Sequence, residues 1–185
     1  MRESCRPRRG RTADLIIASQ DDPEDPEAYV GDNFPENLLM STGRPVLMVP
    51  YVGTFPLLGS NVMVAWDGSR EATRAVHDAL PFMQHAKKTT VVTVNGTKDQ
   101  PADRRAPGAD IAAVIARHGV KVEVINIDAS TGVSTGDALR NHASELGADL
   151  IVMGAYGHAR WQELVMGGAT RDTLKSMTVP VLMSH

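Results

Sequence analysis

Cysteine is all but missing from this 185-residue chain; the single Cys5 excludes an intrachain disulfide framework and suits a reducing compartment. Long apolar runs are missing too, and none approaches the ~20 residues that a spanning helix needs, so no membrane segment is expected. Charge of one sign is also lacking. With 19 basic and 22 acidic residues the net charge is −3, which gives no electrostatic reason to expect nucleic acid or an anionic membrane as partner. The histidines His77, His85, His118, His142 and His185 are scattered without metal-ligand spacing. No Ser-His-Asp or Cys-His constellation has supporting context, and neither Gly-x4-Gly-Lys-(Ser/Thr) nor Ser-Gly-Gly-x-Asp-Ser occurs. The pair Arg8-Arg9 invites a twin-arginine export signal. The short apolar run 15–18 and the acidic stretch 21–27 supply no signal core, so a cytoplasmic protein is expected.

What is present is alternation. Residues 62–66 form a continuous apolar run, as a strand buried on both faces requires. Ala72, Ala75, Val76, Ala79, Leu80 and Met83 then follow at helical spacing, with Pro81 expected to bend the last turns. A second strand at 91–94, a helix burying Ile111, Val114 and Ile115, and a half-exposed edge strand at 122–127 come next. A helix capped by Ser134 or Thr135 ends at Gly147 and leads to an apolar strand at 150–153. The loop 154–168, a last helix near 170–177 and a short strand at 181–183, begun by Pro180 as an edge strand allows, close the chain. The nine methionines fall mostly at apolar positions and read as core. Strands alternating with helices call for a parallel sheet covered on both faces.

The beginning of the chain echoes its end. Ala13-Asp14-Leu15-Ile16 matches Ala148-Asp149-Leu150-Ile151, and Pro45-Val46-Leu47-Met48 matches Pro180-Val181-Leu182-Met183, both at an offset of 135 (148 − 13 and 180 − 45). A period of that size is a domain repeat. The expected organisation is an arginine-rich tail (1–10), a fragment of a degenerate domain (11–52), a linker (53–60) and a complete domain (61–185). Ser19, Asp22 and Asp32 stand in the fragment where the second copy has Gly154, Gly157 and Gly167, so the fragment is not expected to form a site alone.

Two segments carry candidate chemistry: Ala65-Trp66-Asp67-Gly68-Ser69, and Gly154-Ala-Tyr-Gly157 followed by Gly167-Gly168-Ala169-Thr170. The spacings 157 − 154 = 3 and 167 − 157 = 10, the Asp-Gly-Ser and the Val-Pro-Val-Leu ending together resemble the universal stress protein family. That resemblance covers about 125 residues plus the fragment. It implies a doubly wound parallel five-stranded sheet of order 3-2-1-4-5, adenine nucleotide alpha hydrolase-like. It also implies ATP, with Mg, or another adenine nucleotide at the strand ends where the order reverses. Asp67 would meet the ribose and base region, with Ala65, Trp66, Val94 and Met153 around the base. Gly154, Gly157, Gly167, Gly168, Ala169 and Thr170 would face the phosphates. Valine at position 154 would on this view block phosphate and spare the fold. The family pairs through its last strand, so Val181, Leu182 and Met183 are expected to pair with Val46, Leu47 and Met48, within a chain or in a homodimer.

Other readings stand beside these. Asp67-Gly68 also fits a plain strand-to-helix turn with Ser69 as N-cap, and Gly154 and Gly157 fit ordinary turns. Trp66 fits core packing as well as a base platform. His158 and Arg160 fit solvated loop positions, with Arg171 a candidate for phosphate charge. Gly168 stands where the family has a hydroxyl, with Thr170 two residues on as a substitute donor. A stress-response binding module is expected, with slow ATP hydrolysis at most; the alternative is a dimeric interaction module with an empty pocket.

Overall fold

The computed structural model describes residues 10–20, 22, 34–94, 108–128, 132–156, 170, 173–174 and 176–185. Apolar runs form the strands of one seven-stranded sheet. They are β1 (Ile16–Ser19), β2 (Val46–Val49), β3 (Asn61–Ala65), β4 (Lys88–Val94), β5 (Val122–Ile127), β6 (Leu150–Gly154) and β7 (Val181–Ser184). Their order is β1-β2-β7-β6-β3-β4-β5. From β5 to β7 this is the expected 3-2-1-4-5 arrangement, all parallel. The two further strands join through β2, which runs antiparallel to β7 with Leu47 opposite Leu182. The last strand is therefore not an edge, and all four of its residues are buried. Its neighbour is the expected segment, supplied from within the chain.

The two pairs of matching tetrapeptides take the same strand register. Ile16 pairs with Val46 and Ser19 with Val49, as Ile151 pairs with Val181 and Gly154 with Ser184, each 135 residues on. Ile16 N–H donates to Pro45 O at 3.0 Å, and Ile151 N–H donates to Pro180 O at 3.0 Å. Because β2 opposes β7, the carboxyl ends of β1 and β2 point to the opposite end of the sheet from those of β3 and β6.

Five helices are bounded in the described residues: α1 (Phe34–Thr42), α2 (Arg70–Asp78), α3 (Leu80–His85), α4 (Ala109–Arg117) and α5 (Thr135–Leu146). Alternation along the strands splits the core in two. Met63, Val92, Met153 and Met183 face α1, α5 and the helical residues near Leu174. Val62, Val64, Val152 and Leu182 face α2, α3 and α4. Where a single bent helix was expected, the chain breaks at Ala79, and Pro81 sits in the first turn of α3. Proline lacks an N–H and fits a first turn better than a helix interior. β4 begins at Lys88 rather than 91 because Thr89 and Thr90 are buried in it. Ser134 caps α5, its hydroxyl accepting from Asp137 N–H at 3.1 Å, and Gly147 ends it.

One carboxylate holds the two central strands in register at their amino ends. Asp149 Oδ2 accepts from Ser60 N–H and Oδ1 from Asn61 N–H, each at 2.9 Å. The Asn61 amide donates to Leu146 O at 2.9 Å. Bonds to a charged acceptor are worth more than neutral ones, so Asp149→Ala should cost about 3 kcal/mol, and Asp149→Asn less. Thermal unfolding of the three proteins checks this ranking.

Candidate functional site

The strand order reverses between β3 and β6, and an open α/β sheet has its crevice outside the carboxyl ends at such a point. Ala65 and Val94 lie half-buried against the core shared with Met153, so the ends of β3, β4 and β6 give one sheet face an apolar floor. Ile127 and Tyr156 pack against the same core. Trp66 points the other way and packs against the core beneath α2. Its position supports packing rather than a base platform.

The exit from β3 is a capped turn. Asp67 is exposed, and its Oδ1 accepts from Ser69 N–H at 2.9 Å, closing an Asx turn. Gly68 occupies it with φ +78°, a conformation that disfavours side chains. Ser69 is the N-cap of α2; its hydroxyl accepts from Ala72 N–H at 3.1 Å. Both plain structural roles are thus filled, and Asp67 is exposed just beyond the carboxyl end of β3.

Gly154 has a stronger reason to be glycine than ligand approach. A Cβ there would lie 2.4 Å from Ala72 N and 2.7 Å from Glu71 C, inside the backbone of the first turn of α2. The expectation that valine at 154 spares the fold is therefore corrected: the helix, not a phosphate, is the first thing a side chain would strike. The equivalent Ser19 is exposed.

Glu71 belongs to neither motif segment. It is only 2% exposed, its Oε1 accepts from Arg70 Nε–H, and its Oε2 has no partner among the described residues. Burial raises the carboxyl's pKa; the Arg70 hydrogen bond, its own backbone N–H and the charges of Arg70 and His185 outweigh this and hold it below the usual value. His185 Nδ1–H donates to Ala155 O at 3.0 Å, which brings its ring beside the exit of β6. The signal was available: positions 71, 75 and 79 share a helix face, and Ala75 and Ala79 are fully buried.

Thr170 is buried and helical. Gly157, Gly167, Gly168 and Ala169, with His158, Arg160 and Arg171, lie outside the described residues. Among the described residues no cluster of three or more His, Cys, Asp or Glu suits a metal ion, and no helix is long and apolar enough to cross a membrane.

The mostly parallel sheet, covered on both faces, is the α/β fold of the solved universal stress protein structures. The model of the universal stress protein family matches residues 60–185, and the chain belongs to that family. Universal stress protein Slr1230 of Synechocystis sp. is 27% identical over 161 residues, covering 84% of this chain and 52% of its own length. A universal stress protein from Archaeoglobus fulgidus superposes with a TM-score of 0.73 at 20% identity, covering 96% of this chain and 64% of its own. A universal stress protein crystallised in complex with cAMP gives a TM-score of 0.54 at 24% identity, covering 68% of this chain and 96% of its own. The chain thus spans about half the length of Slr1230 and less than two thirds of the Archaeoglobus protein.

Two substitutions test the packing of this site. Gly154→Ala should destabilise the fold by on the order of 3 kcal/mol, because backbone must move to admit the methyl group. An unchanged melting temperature would contradict the close approach. Glu71 is ionised with a lowered pKa, so its contribution is present above the unfolded carboxyl value and lost as pH falls through the folded one. The stability difference between wild type and Glu71→Gln should therefore be largest near neutrality and shrink on acidification, as denaturant unfolding at several pH values would show.

Proposed function

We propose that the chain binds an adenine nucleotide, ATP with Mg or a relative of it, in the crevice between β3 and β6, and acts as a regulatory module of the stress response. The observation that carries this reading is the site's composition. An apolar floor of Ala65, Val94 and Met153 stands at the reversal point, with an exposed carboxylate, Asp67, at its rim. An apolar floor suits the base, and an acceptor at the rim suits ribose hydroxyls. The cAMP-bound relative supports the same ligand class. The Gly154–Thr170 loop would serve the phosphates, with Thr170 the described residue at its far end. Family membership, the single cysteine and the absence of a catalytic constellation favour a cytoplasmic binding role over turnover.

A second reading is an interaction module with a filled pocket. Trp66 packed into the core and Gly154 closed by α2 favour it, since neither is left waiting for a ligand.

Nucleotide released from the purified protein on denaturation, followed by calorimetric titration with ATP-Mg, separates the two. A serine at position 168 would restore a hydroxyl donor to a charged phosphate oxygen, worth roughly 1.5–3 kcal/mol. Gly168→Ser should then bind ATP-Mg about tenfold more tightly than wild type or better. Silence from both folded proteins would leave the interaction module as the function.

A further inference from the structure

We propose that His77 and His118 form a two-histidine site for a divalent ion of the zinc, nickel or copper kind, bridging α2 and α4. The two residues have no metal-ligand spacing in sequence, but the fold sets their rings against each other. The ring centroids are 6.5 Å apart with the planes at 81°, and both side chains are exposed. His77 Nδ1–H donates to Thr73 O at 2.9 Å, which fixes the neutral tautomer and leaves the Nε2 lone pair for a ligand. A metal-binding histidine is commonly oriented in this way, by a backbone carbonyl on its other nitrogen. Two imidazoles on one tetrahedral ion, with metal–nitrogen bonds of ~2.0–2.1 Å, have centroids about 5 Å apart. A turn of the exposed His118 ring toward His77 closes that difference.

The backbone around the pair is anchored. His77 lies in the last turn of α2, and His118 is the C-cap of α4, its N–H donating to Ile115 O at 3.0 Å. Gln84 of α3 donates to His118 O at 3.3 Å, which ties a third helix to the same corner. Two helices end here, and the partial negative charge of a helix carboxyl terminus favours a cation. That charge suits a protonated histidine at either helix end taken singly. Two protonated rings in contact would repel each other, whereas one shared ion holds both. His118 leads through Gly119 toward β5, so the pair stands at the amino ends of the strands. The longer stretches of this domain outside the described residues, 95–107, 129–131 and 157–169, follow the carboxyl ends of β4, β5 and β6. Imidazole nitrogen suits zinc, nickel and copper, while magnesium prefers oxygen, so this ion is not the one proposed to accompany a nucleotide.

Calorimetric titration of the full chain with zinc, nickel and copper chlorides tests this, with magnesium chloride as the control. Wild type should take up one ion per chain at this site, copper most tightly, and ignore magnesium. His77→Asn and His118→Asn should each weaken binding by at least about tenfold, and the double variant should lose little more, since either ring needs the other. His85 is equally exposed and its Nδ1–H donates to Pro81 O at 2.8 Å, but it is not part of the ring contact. His85→Asn should therefore bind as wild type does. Circular dichroism checks that each variant keeps its fold. A wild type that binds none of the three metals, binding indifferent to both His77→Asn and His118→Asn, or an equal loss in His85→Asn would overturn the proposal.

Discussion

The antiparallel ladder between β2 and β7 is the contact on which the rest of the sheet depends. Val181, Leu182 and Met183 are fully apolar and buried, and without β2 they would form an open, uncharged edge. The Leu47–Leu182 register fixes where the fragment sits, and with it α1, whose Leu38 and Leu39 enter the same core as Met183. From β7 inward, β6 and β3 take their places by parallel pairing, and the crevice lies at their carboxyl ends. The amino-terminal segment thus supports the central strands through β2, without pairing with β3 or β6 itself.

Much of this was legible in the residues, and the reasons are specific. Buried parallel strands are continuous apolar runs, so β3 and β6 stood out; β5 stood out by alternating Glu123 with valines. The equal offsets singled out β2 as the counterpart of β7, and the pairing of the two followed from the family resemblance. Less legible was the start of β4, where Lys88, Thr89 and Thr90 carry strand structure without an apolar signature. The break at Ala79 was underestimated because helical spacing continues across it to Met83, although Pro81 marks the new first turn.

The adjacency of the two motif segments was legible, and what they pack against was not. Spacing located Asp67 and Gly154 at adjoining strand ends, which the register of β3 with β6 bears out. A motif does not say what its glycine is avoiding. At Gly154 the object avoided is the turn at Glu71 and Ala72, a tertiary contact between segments about eighty residues apart that no local pattern encodes. Glu71 was hidden for the opposite reason. An acidic residue in the first turn of a helix reads as a favourable dipole partner at the surface, and that reading overrides the spacing that sets Glu71 on the face of Ala75 and Ala79.

The connection between β2 and β3, residues 50–60, has a further consequence. It tethers β2 close to the edge of β7, so the two strands meet as an intramolecular pair at an effective concentration of about millimolar for a short linker. A neighbouring chain offering its own strand to β7 at micromolar concentration competes at a disadvantage of roughly a thousandfold, before any difference in contacts is counted. The last strand is occupied by proximity as much as by fit, and an outside partner for it would first have to displace a segment that never diffuses away.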